Sequence, residues 1–113
     1  MSILEQINLD VKKIFFDQIQ NGSKTREIRI AFRHFTDVRR GTIIVFRCSE
    51  TKKMCKKRVM KRLWYSSVEN VLARPDISQC CPGMNQAEMR QMAHRMFSRE
   101  RVEKCGLLVF ELR

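Results

Sequence analysis

The sequence has no long apolar run. Its longest are four-residue stretches such as Ile43–Phe46 and Leu107–Phe110, whereas a helix crossing a bilayer needs about 20 apolar residues in a row. The N-terminus, Met1-Ser2-Ile3-Leu4-Glu5-Gln6, lacks the basic start and apolar stretch of a signal peptide. The C-terminus, Phe110-Glu111-Leu112-Arg113, has no prenylation cysteine. No C-x-x-C pair joins Cys48, Cys55, Cys80, Cys81 and Cys105, so these residues with His34 and His94 do not make a zinc pattern. Five cysteines at irregular spacing also argue against a disulfide framework. They are expected as thiols in a reducing, intracellular compartment, cytoplasmic or nuclear. No membrane association, metal site or cofactor is expected. Repeats, low-complexity segments and linkers are absent, and residues 1–113 are expected to form one domain.

Acidic residues are scarce beside basic ones. There are 12 Asp and Glu against 23 Lys and Arg, a net charge of +11. An apolar share of 43% is ordinary for a globular chain and excludes a disordered tail. A folded surface of this charge attracts polyanions. Nucleic acid and acidic proteins are the candidate partners.

Hydrophobic periodicity places the elements. Ile3 to Leu9 reads as a first strand, with Ile3, Ile7 and Leu9 on one face and Glu5 as an exception. Asp10 is placed to cap a helix over Val11–Gln20, whose apolar stripe is Val11, Ile14, Phe15 and Ile19. Gly22 ends it in the left-handed position. Thr25–Ile30 alternates as a strand, with Ile28 and Ile30 inward and Thr25, Glu27 and Arg29 outward. A basic connection, Ala31–Arg40, leads to a buried strand over Thr42–Cys48. Met54–Tyr65 reads as a long strand with Val59 and Leu63 inward. Ser66 or Ser67 starts a short helix that Arg74-Pro75-Asp76 stops. After an irregular loop, Asn85 with Glu88 forms a capping box for a helix running to Lys104, striped by Met89, Met92, Ala93, Met96 and Phe97. Leu107–Leu112 closes the chain as a strand.

Two constellations carry chemistry. The first is Gly22-Ser23-Lys24-Thr25-Arg26-Glu27-Ile28-Arg29, a glycine turn feeding a strand that carries hydroxyl, carboxylate, guanidinium and ammonium groups. On parity alone this is a solvated strand edge of paired charges. Together with the helix ending Phe15-Phe16-Asp17-Gln18-Ile19, it resembles the signature of the ASCH domains of the PUA-like superfamily, an amphipathic helix followed by G-x-K-T-x-E-x-R. The family's later glycine-aspartate pair reads Gly41-Thr42 here, and the order of the remaining elements matches over nearly the whole chain. The resemblance implies an α+β fold: a small β-barrel of about five or six strands flanked by two main helices, with a cleft beside the motif strand. It also implies RNA or DNA binding and, in some small bacterial members, hydrolysis of the acetyl amide of N4-acetylcytidine. Lys24 matches the catalytic lysine of those enzymes. Glu27 stands where they carry threonine, and Leu72–Gly83 offers Asp76 in place of their later glutamate. As an enzyme, the chain would use Lys24 and Glu27. Hydrolysis would require activation of the Lys24 amine. As a binding module, Lys24 and Arg29 would be fixed cations for a phosphate or base edge, with Glu27 holding Arg29.

The second constellation is Lys52–Arg62, with seven positive charges and no negative one. Lys56, Arg58 and Arg62 share strand parity, and Trp64 continues it. Trp64 and Tyr65 are candidates for stacking on unpaired bases. The combined reading is a nucleic-acid-binding module, RNA ahead of DNA. Lys24, Thr25, Arg26 and Arg29 would line a nucleotide-sized cleft. Arg33, Arg39, Arg40, Lys52, Lys53, Lys56, Lys57, Arg58, Lys61 and Arg62 would hold the backbone. The alternatives are an amidohydrolase acting on an acylated nucleoside and a regulatory module docking on an acidic protein.

Overall fold

A computed structural model describes residues 5–113; Ile3, expected in the first strand, lies outside them. Five strands curl into a half-barrel in the order β1-β3-β4-β5-β2. They are β1 (Gln6–Val11), β2 (Arg26–Ile30), β3 (Ile43–Cys48), β4 (Met54–Tyr65) and β5 (Leu107–Leu112). β1 runs parallel to β3 and every other pair is antiparallel. The edge strands β1 and β2 are not hydrogen-bonded to each other as a ladder, so the barrel has an open seam.

β5 organises the packing. Leu108, Phe110 and Leu112 join Ile44, Phe46, Val59 and the helix α1 (Lys13–Asn21) in one core. Leu107 and Val109 face a second core with Val71 and Leu72 of α2 (Val68–Leu72), Met89 of α3 (Gln86–Met96) and Val102 of α4 (Arg99–Cys105). A strand covered on both faces reads as a continuous apolar run, which is why Leu107–Phe110 shows no alternation.

Three expectations are corrected. Asp10 is not a helix cap. The parallel ladder continues through Val11 opposite Cys48, and Asp10 pairs in register with Arg47, their side chains 2.9 Å apart. The helix starts after Lys12 with no side-chain cap. Its buried residues are Phe16 and Ile19, while Ile14 is exposed. The long C-terminal helix is broken at Phe97, which is extended, and Ser98 restarts it by accepting from Arg101 N at 3.3 Å. The break lets Phe97 turn back against the second core.

The third correction concerns β4. Val59 pairs with Leu112 and Lys61 with Glu111, which leaves Met60 as an extra residue in a β-bulge. Before the bulge, Lys56 and Arg58 lie opposite Val45 and Ile43, on the face away from the α1 core. After it, Arg62 and Trp64 lie opposite Phe110 and Leu108, on the face of that core. Cross-strand neighbours share a face, so Lys56, Arg58, Arg62 and Trp64 are not one stripe. Val59 and Leu63 likewise point to opposite sides.

Candidate nucleic-acid interface

The motif strand sits at the seam. Gly22 takes φ +85 and ends α1, its N–H reaching the Ile19 carbonyl. This turn drives Lys24 under the helix rather than out to solvent. Lys24 and Glu27 are only 5% and 6% exposed, so the outward polar face expected for this strand is instead the inner wall of the half-barrel. The reason is pairing: Glu27 lies opposite Phe110 and Arg29 opposite Leu108, both on the α1-core side.

Burial of these charges is compensated group by group. Lys24 Nζ donates to the carbonyls of Cys80 at 2.6 Å and Arg26 at 2.8 Å, and lies 3.4 Å from Glu27 Oε1. Glu27 Oε2 accepts from Arg29 Nη2 at 2.9 Å and Nε at 3.2 Å. Burial pushes the Glu27 carboxyl up, but Lys24 and Arg29 together overcome it and hold the group below the ordinary carboxylate value. Arg29 Nη2 also donates to the Asp10 carbonyl at 3.3 Å. The guanidinium therefore bridges β2 to β1 where the barrel fails to close.

A cleft of about 500 Å³ opens over this bridge. Lys24, Glu27 and Arg29 form its polar end, and Phe15, Phe32 and Met92 are among its apolar walls. That volume falls within the range of small-ligand sites. His34 lies at the cleft stacked on Phe32 and tilted against Phe35, with ring centroids 5.8 and 4.2 Å away, and Arg101 sits 5.6 Å over Phe32. Phe15, Phe32, His34 and Arg101 were not marked as site residues by the sequence. Phe15 read as core, and Phe32 and His34 gave no signal beyond a basic connection.

Other expected site residues serve as supports. The Thr25 hydroxyl donates to Gln79 Oε1 at 2.9 Å. Arg26 points away from the cleft, 2.9 Å from Asp76 and 3.6 Å from Glu111. Arg74 completes that cluster, 2.7 Å from Asp76 and 2.8 Å from Glu111, and donates to the Tyr65 hydroxyl at 2.9 Å. Hydrogen bonds from Arg74 bring the Asp76 carboxyl down to about 2. Asp76 is thus held by two arginines and does not line the cleft. Tyr65 is fixed by Arg74, whose guanidinium stands 5.8 Å over its ring. The sequence read Arg74 only as a helix stop. Thr42, in the place of the family's aspartate, is fully buried and accepts from Arg39 N at 3.1 Å. Burial lifts the Cys80 thiol to about 12 and makes it inert.

The basic residues divide among separate surfaces. Lys56 and Arg58 are exposed on the outer face of β4, and Lys57 is half-buried on the other face. Lys52 and Lys53 lie in the turn before β4, Lys52 donating to the Ser49 carbonyl at 2.8 Å. Arg33 is exposed on a short 3₁₀ turn, Arg33–Phe35. Arg39, Arg40, Lys61 and Arg62 converge on a shallow depression at the bulge.

A five-stranded half-barrel with a charged cleft at its seam defines a class of small α+β domain. The pattern of the ASCH domain family matches residues 9–111, and the chain belongs to that family. Two solved structures share the fold. The hypothetical protein PH0355 is 24% identical, with a TM-score of 0.84 over 96% of this chain and 97% of its own. Protein PF0455 from Pyrococcus furiosus is 23% identical, with a TM-score of 0.76 over 96% of each chain. No curated protein matches the sequence. Among the described residues, no helix is long and apolar enough to cross a membrane.

Proposed function

We propose that this protein binds single-stranded RNA and takes one unpaired nucleotide into the seam cleft. ASCH domains are generally proposed to bind RNA. The observation that carries the reading for this chain is the fixed Lys24–Glu27–Arg29 array beneath aromatic walls in a protein of net charge +11. Glu27 anchors the Nε and Nη2 side of Arg29, and Nη1 makes no hydrogen bond among the described residues. That leaves donors aimed at a phosphate or a base carbonyl at no further cost in ordering the side chain. Phe15 and Phe32 supply flat apolar surface for the base.

The same geometry weighs against amide hydrolysis. Lys24 Nζ is engaged by two carbonyls and a carboxylate, so it is occupied in holding the fold together rather than presented to a substrate carbonyl. Both Glu27 oxygens are already engaged by cations.

The test is binding of a short single-stranded RNA followed by anisotropy across salt concentrations. Affinity should fall with a slope of about 0.7 per phosphate contact in log K against log salt. Arg29→Gln should weaken binding under conditions where circular dichroism shows the variant folded. Affinity indifferent to salt, or unchanged in Arg29→Gln, would overturn the reading. RNA that competes with no protein partner in a pull-down would favour acidic-protein docking instead, and acetate released from N4-acetylcytidine would favour hydrolysis.

A further inference from the structure

Trp64 is the chain's single tryptophan, and at 58% exposed it is one of few large apolar side chains left in water. It is exposed but not loose. Its indole Nε1 donates to the Cys105 carbonyl at 3.0 Å. One face of the ring rests on Gly106, where a Cβ would run into Nε1, Cε2 and Cζ2. Glycine is favoured there twice over, since its φ is +79. With one face seated and its N–H engaged, the indole offers the opposite face and its outer edge to solvent.

A cation shares this ring's side of the sheet. Arg62 stands two residues back on the same sheet face, about 7 Å along the strand. With Arg39, Arg40 and Lys61 it lines the depression at the bulge, and no carboxylate contributes to that lining. Arg40, Lys61 and Arg62 make no ion pair among the described residues. The other exposed large apolar side chains, Ile14, Met54 and Met96, sit on α1, the start of β4 and α3. Trp64 is therefore an exposed aromatic next to Arg62 at the edge of a basic depression, and not part of an apolar patch suited to docking a protein. A rigid aromatic face beside unpaired cations stacks an unpaired base while the cations hold its flanking phosphates.

We infer that Trp64 is a second base-stacking site for single-stranded RNA, distinct from the seam cleft, with Arg40, Lys61 and Arg62 taking the adjacent phosphates. The inference rests on the RNA-binding reading above. No residue of the depression lines the cleft, and Trp64 does not line it either. One RNA strand would thus be gripped at two points.

The single tryptophan is its own reporter. The full chain is titrated with a short oligoadenylate, once labelled for anisotropy and once unlabelled for intrinsic fluorescence. Stacking predicts quenching of Trp64 that saturates with the anisotropy change, and no such quenching by duplex RNA of the same length. Trp64→Ala should weaken binding about tenfold, ~1.4 kcal/mol, and Trp64→Phe should recover most of it. Lys61→Ala and Arg62→Ala should each flatten the salt slope by about 0.7. The quenching arm uses the unaltered protein, so it stands even if Trp64→Ala disturbs folding. Binding by anisotropy without quenching, or equal quenching by duplex, overturns this site and leaves RNA binding intact. No anisotropy change at all removes both.

Discussion

Lys24 and Glu27 face each other across 3.4 Å with almost no water around either, and Arg29 closes on the far oxygen of the same carboxylate. The three groups act as a unit, because each charge is compensated only while the others are present. Removing one partner of a buried ion pair destabilises by about 3–5 kcal/mol. Lys24→Met and Glu27→Leu are each expected to lose stability on that scale in urea unfolding. The double variant should lose less than the sum of the two, since it leaves no orphaned partner between them.

Acid should loosen the other face of β2. Asp76 drops from 3.8 to about 2 through its hydrogen bonds with Arg74 and Arg26. A depressed carboxyl contributes stability above its ordinary value, and that contribution is lost as pH falls through the folded value. Stability is therefore expected to decline between pH ~4 and ~2, and Glu27, also held low, adds to the decline from the same side. Unfolding free energy measured against pH should fall less steeply in this window for Asp76→Asn, from a lower starting value at neutral pH.

Two glycines separate backbone strain from side-chain collision. Gly22 and Gly106 both have positive φ, but a Cβ at Gly22 meets nothing within 4 Å whereas one at Gly106 meets the Trp64 indole. Gly22→Ala should cost about 1–2 kcal/mol, the penalty of a left-handed residue with a Cβ. Gly106→Ala should cost more and also displace the indole. A shift in tryptophan emission that appears in Gly106→Ala and not in Gly22→Ala checks the contact.

The start of α3 carries a reciprocal cap: Asn85 Oδ1 accepts from Glu88 N at 2.9 Å and Glu88 Oε1 accepts from Asn85 N at 3.0 Å. Asn85→Ala should lower stability by about 1 kcal/mol, a fall of about 4 °C in thermal midpoint.

The capping box was fully legible in the sequence, as were the bounds of β4 and β5 and the glycine stop at Gly22. These are local signals, set by residues within a few positions of one another. What escaped was set by distant partners. Asp10 looked like a cap because nothing near it in sequence reveals Arg47 in the register of β3. Glu27 looked solvated because alternation tells which residues share a face and not which face is buried. Its burial required α1 and the Cys80 loop to close over Lys24. The Arg26–Arg74–Asp76–Glu111 cluster joins three remote segments and left no trace in spacing. The polar end of the cleft falls in the motif strand, while Phe15 had read as core and Phe32 and His34 lie in a connection outside the motif.

The bulge at Met60 makes the pairing of β4 as consequential as its composition. The same residues in an unbroken ladder, with Met60 paired in its turn, would put Arg62 and Trp64 on one surface with Lys56 and Arg58. Relatives can therefore match cation for cation here while presenting different surfaces to a polyanion. Whether the ladder bulges at this point, more than which cations line it, is where divergence in nucleic-acid grip should be sought.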